Sequence, residues 1–408
     1  MRRSVDEHLE EILGRVQALP PFEQPLMEAL GLVLCEDIVS GVSLPGFDNS
    51  AMDGYAVQAT DLAGASQDEP VTLPVVGEIA AGRSEPIVVT PGTCVRIMTG
   101  APMPRGADSV VPVEWTDGGA AQVRIARQPA LGASVRRAGE DLRAGDQVLD
   151  RDTVLGPRQL AVLAAVGRAR VKVRPRPRVV VVSTGAELRE PGTRLAEGQI
   201  YDSNSYTLAA AARQAGAVVY RVGIVDDDPK RIMDTLSDQL VRADLVITSG
   251  GVSKGVYDVV KEVLTKLGTI DFPEVAMQPG KPQGFGVMGD DAVPIFTLPG
   301  NPVSAYVSFE VFVRPALRKL MGRMPYRRRP VQAVVLDGFS SPAGKRQFVR
   351  AAATSGDEGW MASTVGGHGS HLLGGLSRSN ALIVVPEDVT AVRAGEQVEL
   401  WLLDEETG

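Results

Sequence analysis

A short apolar run at residues 244–249 ends in the pair Gly250-Gly251, and this junction limits the fold more than any other part of the chain. The run reads Asp-Leu-Val-Ile-Thr-Ser, which is typical of a strand buried on both faces of a parallel sheet. After Asp258, apolar residues recur with helical spacing at Val259, Val260, Val263, Leu264 and Leu267. A strand, a glycine loop and a helix start place backbone N–H groups where an oxyanion can bind. A tight turn without a ligand also explains the glycines, and Asp258 fits either a helix cap or a cation ligand.

The same order of strand, loop and helix recurs between Arg178 and Arg323. The predicted strands are residues 179–182, 218–225 and 294–298. Asp228 and Pro229 follow the second of these strands, which predicts a helix with Asp228 as its N-cap and Pro229 at its first position. This alternation predicts a doubly wound α/β domain with a mostly parallel sheet.

The chain on either side of the α/β region follows other patterns. Ser4 and Glu7 form a capping box at the start of an amphipathic helix. Short alternating runs between Val57 and Arg136 are punctuated by glycine and proline, which predicts a small β barrel or sandwich. After residue 330 the pattern is β again and predicts a small C-terminal β domain. The N-terminal segment is too small to fold alone. We expect it to pair with the segment just before the α/β region, so that the two together form one discontinuous domain.

Composition excludes several classes of function. A net charge of −8 argues against a nucleic-acid binder and against an anionic membrane surface as a partner. We find neither an apolar run that could span a bilayer nor a signal peptide. Two cysteines and three histidines are too few for a disulfide framework or a zinc site. We therefore expect a cytoplasmic, globular protein in which any metal is a hard cation held by carboxylates.

Four strands of the predicted α/β domain each end in a loop rich in glycine or polar residues. Ligands bind at the carboxyl ends of the strands in an open α/β sheet, so we expect these loops to converge. The candidate ligand-binding residues in them are Ser183, Thr184, Gly185, Glu187, Asp227, Ser249, Gly250, Gly251, Asp258, Pro299, Gly300, Asn301 and Pro302. Glycine amides and helix N-termini attract negative charge, which favours a phosphate or phosphoanhydride ligand.

Three acids in these loops, Glu187, Asp227 and Asp258, are the candidate ligands of Mg²⁺. Carboxylates repel a phosphate unless a cation lies between them, and Mg²⁺ prefers oxygen ligands. This combination favours metal-assisted cleavage of a phosphoanhydride. For Asp228 we favour helix capping alone. We find no serine–histidine–aspartate order and no cysteine–histidine pair that would supply a competing nucleophile.

Further candidate residues lie outside the α/β strand ends. Lys281 supplies a cation from a Pro-Gly-Lys loop, and residues 345–350 and Ser370 add hydrogen-bond donors in the C-terminal domain. Composition alone slightly favours a solvated basic strand edge for the arginines of residues 345–350. Asp53 stands beside a glycine just before a predicted strand, where an Asx turn explains it as well as a functional role does.

Nine motifs in chain order carry a resemblance to a known family. They are GFDNSAMDGYAV, IMTGAPMP, RRAGEDLRAGD, VVSTGAELRE, YDSNSY, TSGGVSKGVYD, PGKP, LPGNPVSA and GSHLLGGLSRSNAL. As an ordered set they resemble the MoeA family of molybdopterin molybdenumtransferases, whose fold is shared by the E domain of gephyrin. The resemblance covers nearly the whole chain.

The resemblance implies a fold of four domains. These are a discontinuous, elongated domain I at residues 1–45 and 140–175, a β-rich insertion domain II at 46–139, an α/β molybdopterin-binding domain III at 176–326 and a C-terminal β-barrel domain IV at 327–408. It also implies a homodimer with the active cleft between domain III of one subunit and domain II of the other.

The implied reaction is the Mg²⁺-dependent cleavage of adenylylated molybdopterin, with release of AMP and insertion of molybdate into the dithiolene to form molybdenum cofactor. A molybdopterin adenylyltransferase is the implied transient partner. Two other readings fit the same fold: a non-catalytic molybdopterin-binding scaffold and a tungstate-preferring paralogue. A third, an adenylyltransferase acting one step earlier, fits less well because of the long β domains beside the α/β domain.

Roles also follow from the resemblance, residue by residue. Asp53 and Thr99 correspond to the residues that domain II contributes to the cleft, which favours function over a bare Asx turn for Asp53. The implied catalytic set is Asp53, Thr99, Glu187 and Asp258. Lys281, Arg350 and Ser370 correspond to anion-handling residues, whereas Pro299 and Pro302 shape the last loop of domain III.

The chain departs from the family pattern at three positions. Gln278 stands where many relatives carry a lysine before Pro-Gly-Lys, so one positive charge facing the anion is missing. Lys254 and Val256 flank Gly255 where relatives carry a small or apolar residue and an acid. These changes bear on metal affinity and on the choice between molybdate and tungstate.

Overall fold

The computed structural model describes residues 3–82, 87–225, 228–250, 263–265, 269–367 and 369–404. Its chain divides into two units, one of Met1–Phe22 with Val173–Gly408 and one of Glu23–Lys172. The predicted Ser4 capping box is present: Ser4 Oγ accepts from the Glu7 N–H at 3.1 Å, and the Glu7 carboxylate accepts from the Ser4 N–H at 2.8 Å. Helix α1 (Val5–Arg15) therefore begins where the sequence predicts it.

The unit of Glu23–Lys172 is mostly β, as predicted. Its elements, with the strand that leads into it, are β1 (Phe22–Pro25), β2 (Ile38–Val39), β3 (Asn49–Ser50), β4 (Gly54–Val57), β5 (Val71–Ile79), β6 (Cys94–Ile97), β7 (Ser109–Pro112), β8 (Gln122–Ile125), β9 (Val135–Arg136), β10 (Gln147–Leu149), α2 (Pro157–Ala165), β11 (Arg170–Val173) and two short 3₁₀ turns at Ala59–Leu62 and Val113–Trp115. Five strands form one sheet in the order β7-β4-β6-β5-β8. Tyr55 and Val57 of β4 enter one core and Ala56 enters another, so this strand is buried on both faces.

Pairing within this unit joins the two ends of its chain. Strand β2 pairs antiparallel with β10, and isolated bridges join Val33 to Val154 and Leu44 to Leu142. The segment that follows residue 139 thus returns to the N-terminal segment, as expected. We expected helix α1 to belong to the same domain as this returning segment. Instead, its apolar face packs into the core of the unit of Met1–Phe22 with Val173–Gly408, together with Phe309 and Phe312. The boundaries of domains I and II remain predictions.

The α/β region contains β12 (Arg178–Thr184), β13 (Leu188–Arg189), β14 (Ile200–Tyr201), α3 (Asn204–Gln214), β15 (Val218–Val225), α4 (Pro229–Leu240), β16 (Leu245–Ser249), β17 (Met277–Gln278), β18 (Gly284–Met288), β19 (Val293–Leu298), α5 (Pro302–Ser308), a π-helical segment at Phe309–Val313 and α6 (Arg314–Leu320). The main sheet has the order β15-β12-β16-β19-β18. Its first four strands are parallel and β18 is antiparallel to β19, which confirms the doubly wound α/β prediction. Asp228 caps α4 by accepting from the Arg231 N–H at 2.8 Å, also as predicted.

The C-terminal region is the predicted barrel. It contains β20 (Val331–Val335), β21 (Phe339–Ser340), β22 (Arg346–Gly356), β23 (Gly359–Thr364), α7 (Leu373–Leu376), β24 (Ala381–Val385), β25 (Ala391–Val392) and β26 (Gln397–Leu402). The pairings β22-β23-β20-β26-β24 return to β22 and close a ring of five strands, to which β17 adds at β22. Across the residues that the structure describes, no helix is long and apolar enough to cross a bilayer.

Candidate functional site

The strand order β15-β12-β16 creates a crevice at the carboxyl ends of β12 and β16. From β12 the chain passes to β15 on one side and then returns to β16 on the other side, so the direction of winding changes between these strands. Such a switch point is where open α/β sheets bind ligands. Thr184 ends β12 and Ser249 ends β16, which places the predicted loops at this crevice.

The loops after β12, β16 and β19 lie in contact. Gly250 has a φ of +100°, and a β-carbon on it would lie 2.8 Å from the carbonyl oxygen of Thr184. A β-carbon on Gly300 would lie 3.8 Å from Gly250 Cα. These contacts confirm convergence for three of the four predicted loops and explain why only glycine fits at position 250, whereas residues 226–227 of the fourth loop lie outside the described residues.

The backbone N–H of Gly250 has a different role from the one expected. It donates to the carbonyl oxygen of Leu298 at 3.1 Å and extends the pairing of β16 with β19 by one residue. It is therefore not the oxyanion donor that the glycine loop suggested. Gly250 contributes a close backbone approach, whereas Gly251 lies outside the described residues.

Asn204 joins two of these loops, and the sequence reasoning missed it. Its Nδ2 donates to Ser249 Oγ at 2.8 Å and to the carbonyl oxygen of Gly300 at 2.7 Å. The residue is the first of α3, which led us to interpret it only as part of a helix start. An amide in the motif YDSNSY, between two strand-end loops, was the signal that could have revealed it.

Glu187 is the predicted metal ligand that the structure describes. Its carboxylate lies over Gly185, where a β-carbon would be 2.7 Å from Oε2, and Gly185 has a φ of +152°. Its own carbonyl oxygen accepts from the Ile200 N–H at 3.0 Å, which ties the loop to β14. The side chain is exposed at the end of β12, so its oxygens are accessible to a cation.

The other two predicted metal ligands, Asp227 and Asp258, lie outside the described residues, as do Lys254 and Val256. Within the described part of the chain, no three histidine, cysteine or acidic side chains form a metal cluster. An exposed carboxylate at a crevice that can receive phosphate fits Mg²⁺, which commonly takes one or two carboxylates and completes its shell with water and phosphate oxygens.

The predicted side chains of the strand ends differ in exposure. Ser183 and Thr184 are buried, and Ser183 Oγ has no hydrogen-bond partner among the described residues. Pro299 is also buried, whereas Gly300 and Asn301 are exposed. The side chains and backbone accessible to a ligand therefore belong to residues that follow the strands, whereas the last residues of the strands are buried.

Ser370 connects the barrel to the last α/β loop. Its carbonyl oxygen accepts from the Val303 N–H at 3.1 Å, at the start of α5. Pro302 occupies the first position of this helix and has no N–H, so Ser370 takes the first backbone donor that α5 offers. The barrel loop and the Pro-Gly-Asn-Pro loop consequently adjoin.

Arg350 is buried, and the solvated strand edge suggested by composition was wrong for it. Its guanidinium donates to the carbonyl oxygens of Leu372 at 2.6 Å and Gly369 at 3.3 Å, and also to that of Gly367. Burial lowers the pKa of Arg350 from its ordinary value. The side chain thus holds the loop that carries Ser370, instead of presenting its donors to solvent.

Lys281 forms an ion pair with Glu274. Its Nζ lies 3.0 Å from Glu274 Oε1, with both side chains about one-third exposed. The preceding residues Gln278 and Pro279 line a small cleft together with Val303 and Arg350. The Lys281 loop, the start of α5 and the barrel strand β22 therefore meet at one cleft.

Asp53 and Thr99 form a pair in the unit of Glu23–Lys172. The backbone N–H of Thr99 donates to Asp53 Oδ1 at 2.6 Å, and Thr99 Oγ1 donates to the same oxygen at 2.8 Å. These two bonds lower the pKa of Asp53. The result is an exposed carboxylate that is fixed in position and stays ionised.

Comparison with known proteins matches the chain along its length. Residues 3–167 match the MoeA N-terminal region (domain I and II), residues 180–319 a probable molybdopterin binding domain, and residues 332–403 the MoeA C-terminal region (domain IV). Molybdopterin molybdenumtransferase 2 of Mycobacterium tuberculosis is 49% identical over 98% of this chain and 99% of its own length. The chain belongs to the MoeA family.

Two other relatives also match this MoeA-family chain over most of its length. Molybdopterin molybdenumtransferase of Haemophilus influenzae is 37% identical over 92% of each sequence. The crystal structure of a molybdopterin biosynthesis MoeA protein from Pyrococcus horikosii has a TM-score of 0.84 and 31% identity, covering 99% of this chain and 100% of that one. The domain composition and the closed barrel are thus those of the MoeA fold.

Proposed function

We propose that this chain is a molybdopterin molybdenumtransferase. It binds adenylylated molybdopterin and molybdate, and water cleaves the phosphoanhydride bond so that AMP leaves and the pterin keeps its phosphate. The two dithiolene sulfurs then bind molybdenum, and one molybdate oxygen leaves as water with the two thiol protons. We also propose that it acts in the cytoplasm and receives its substrate from a molybdopterin adenylyltransferase. Similarity to molybdenumtransferases over almost the full length of both chains supports this proposal.

The observation that carries the proposal is the fixed rim at the ends of β12, β16 and β19. Asn204 holds Ser249 and Gly300 together, and Gly250 touches Thr184. A rim held this way keeps its shape when the ligand enters, which lowers the entropy that binding costs. The crevice beside it has two features suited to a phosphoanhydride, the exposed carboxylate of Glu187 and a helix start, and the loop that carries Lys281 adjoins the start of α5.

Glu187 would hold Mg²⁺, with Asp227 and Asp258 proposed as its further ligands. When bound, the cation offsets the negative charge that develops on the phosphates. Glu187→Gln should raise the Mg²⁺ concentration needed for half-maximal AMP release about tenfold or more, because an amide binds the cation more weakly than a carboxylate. Glu197→Gln, an exposed acid of the next loop, between β13 and β14, is the matched control. An unchanged Mg²⁺ requirement in Glu187→Gln would refute the metal assignment.

Lys281 is the side chain we assign to the anionic substrate. It now pairs with Glu274, and this ion pair is exposed enough to exchange for a phosphate or molybdate oxygen. Arg350 acts on the substrate indirectly, since its donors already bind the loop of residues 367–372. Ser370, held in this way next to α5, is the residue of that loop we place nearest the ligand.

Asp53 and Thr99 complete the site in our proposal. The carboxylate of Asp53 is held ionised by Thr99 and can accept hydrogen bonds from the substrate. We propose that the chain forms a homodimer in which this pair of one subunit faces the α/β crevice of the other. Loss of activity in Asp53→Asn, restored when the variant is mixed with Glu187→Gln subunits that carry the other half-site intact, would support the shared cleft.

The proposed function can be tested by reconstitution. The purified chain receives adenylylated molybdopterin, Mg²⁺ and molybdate, and the product is transferred to a molybdoenzyme that lacks its cofactor. We expect activity of the acceptor enzyme to appear only when all components are present. Tight binding of the pterin without any acceptor activity would instead identify a scaffold. Activation with tungstate but not molybdate would identify a tungstate-preferring paralogue.

A further inference from the structure

A cluster of polar side chains outside the assigned site is centred on Arg221 of β15. Its guanidinium binds the carboxylate of Glu190 through two parallel bonds, Nη1 to Oε1 at 3.0 Å and Nη2 to Oε2 at 2.9 Å. A bidentate pair of this kind fixes the orientation of both side chains. The register between β12 and β15 shifts immediately after Arg221, and such bulges often direct a side chain toward a site. We call the following residues the Arg221 cluster: Glu190, Asp202, Ser205, Tyr206 and Arg221.

Arg221 also binds the start of α3. Its Nη1 donates to Ser205 Oγ at 3.1 Å, its Nη2 donates to the Tyr206 hydroxyl at 3.0 Å, and its Cζ lies 3.9 Å from the centroid of the Tyr206 ring. Asp202 is 1% exposed, accepts from the Ser205 N–H at 3.0 Å and lies 4.0 Å from Arg221 Nη1. A buried carboxylate is costly without a cation beside it, so Arg221 serves Glu190 and Asp202 together.

The two acids of the Arg221 cluster lie at the ends of two paired segments. Residues 187–189 and 200–202 run parallel and are joined by backbone hydrogen bonds of 3.0 Å and 2.9 Å. Glu190 follows the first segment directly, and Asp202 is the last residue of the second. Because Arg221 contacts both acids, one guanidinium holds the ends of both segments in place.

We propose that Arg221 is a positioning residue that fixes Glu187 relative to Asn204. Glu187 is the first residue of the first segment, and Asn204 lies two residues after the second. Arg221 thereby sets the distance between the carboxylate assigned to Mg²⁺ and the amide that holds the rim. This inference rests on the proposed function, because it concerns the alignment of the cation with a phosphoanhydride bound at the rim.

Arg221→Lys tests the inference, because lysine keeps a positive charge beside Asp202 but lacks the fork and the planar face of a guanidinium. We expect the Mg²⁺ concentration for half-maximal AMP release to rise about fivefold or more and the maximal rate to fall, because a less fixed Glu187 binds the cation less well. Backbone hydrogen exchange of Ile200 and Asp202, which donate to the paired segment, should become about tenfold faster. The exchange measurement needs no turnover.

Arg178→Lys is the matched control. Arg178 forms the same kind of bidentate pair, with Asp244 at 3.1 and 2.9 Å, but at the opposite end of β12. It should leave the Mg²⁺ requirement and the exchange of both amides at their wild-type values. If Arg221→Lys fails to fold, Glu190→Gln replaces it with the same expected changes, because Glu190 is partly exposed and its substitution leaves Asp202 beside Arg221.

The outcomes separate this inference from the proposed function. An active wild-type chain whose Mg²⁺ requirement is unchanged in Arg221→Lys would overturn the inference and leave the proposed function intact. Equal exchange rates in Arg221→Lys and Arg178→Lys would overturn it as well. A wild-type chain that releases no AMP at any Mg²⁺ concentration would instead count against the proposed function, and the exchange of Ile200 and Asp202 would then decide alone whether Arg221 fixes the loop.

Discussion

The side-chain amide of Asn204 donates to Ser249 Oγ at 2.8 Å, which joins the start of α3 to the end of β16. The same Nδ2 reaches Gly300 at the end of β19, so one side chain sets the spacing of two loops. We expect Asn204→Ala to slow AMP release about 10- to 100-fold, because loosened loops misplace the substrate. The free energy of unfolding should fall by only about 1 kcal/mol.

The control for Asn204→Ala is Gln239→Ala on α4. The amide oxygen of Gln239 also takes part in a local hydrogen bond, accepting from Arg242 Nε at 2.8 Å, but Gln239 lies near the end of α4. Steady-state AMP release and urea unfolding should be measured on both variants. Full activity in Asn204→Ala, with stability unchanged, would show that the loops keep their spacing without this amide.

Gly250 allows the closest approach between two rim loops. We expect Gly250→Ala to lower the free energy of unfolding by about 1–3 kcal/mol, because the added carbon meets the Thr184 carbonyl and φ is positive. Gly192 has a φ of +90° with nothing within 4 Å of its β-carbon position, so Gly192→Ala isolates the backbone strain from the clash. Chemical unfolding measures both variants. An equal loss in the free energy of unfolding for Gly250→Ala and Gly192→Ala would argue against a close contact between residue 250 and the Thr184 carbonyl.

Arg350 should act through the loop that it holds. We expect Arg350→Lys to speed backbone hydrogen exchange in residues 366–376 and to lower activity, because a lysine ammonium cannot replace a guanidinium that donates to three carbonyl oxygens at once. Arg378→Lys is the matched control, since among the described residues the exposed Arg378 donates to a single carbonyl oxygen, that of Gly374 at 3.2 Å. Exchange in this loop at the wild-type rate, combined with lost activity, would instead mean that Arg350 contacts the ligand directly.

Thr99 lowers the pKa of Asp53 by two hydrogen bonds, and their loss can be followed by titration. We expect Thr99→Val to raise the pKa of Asp53 part of the way to its ordinary value, since the backbone N–H remains. The folded-state pKa is lowered, so the stability from these bonds is present above the ordinary carboxyl pKa of about 3.9 and is lost as pH falls through the folded pKa. An NMR titration of the Asp53 carboxyl carbon measures this pKa in the wild-type protein and in Thr99→Val. Identical titration curves would show that the Thr99 hydroxyl does not lower the pKa of Asp53.

Local sequence patterns predict the α/β fold well because buried strands and helix caps each depend on a few neighbouring residues. Five residues of the predicted run, Leu245–Ser249, form a strand buried throughout, and Asp228 caps α4, because burial and capping both act within one element. The convergence of the loops also followed from the strand order of a parallel sheet. The resemblance supplied what these patterns could not, namely the family.

Features that depend on distant parts of the chain were not predictable from local pattern. The environment of Arg350 is set by the carbonyl oxygens of Gly367, Gly369 and Leu372, about 20 residues away in sequence, and composition wrongly suggested a solvated edge. Asn204 gains its role only because β16 and β19 end beside the start of α3. Helix α1 packs beside the π-helical segment, roughly 300 residues away in sequence, for the same reason.

Release of AMP from adenylylated molybdopterin by the purified wild-type chain, followed with and without molybdate in the presence of Mg²⁺, is the decisive measurement of the proposed activity. We expect little release without molybdate and a rate at least about tenfold higher with it, because in our proposal cleavage is coupled to metal insertion. A chain that binds the pterin but releases no AMP when molybdate is added would contradict the proposed molybdenumtransferase activity.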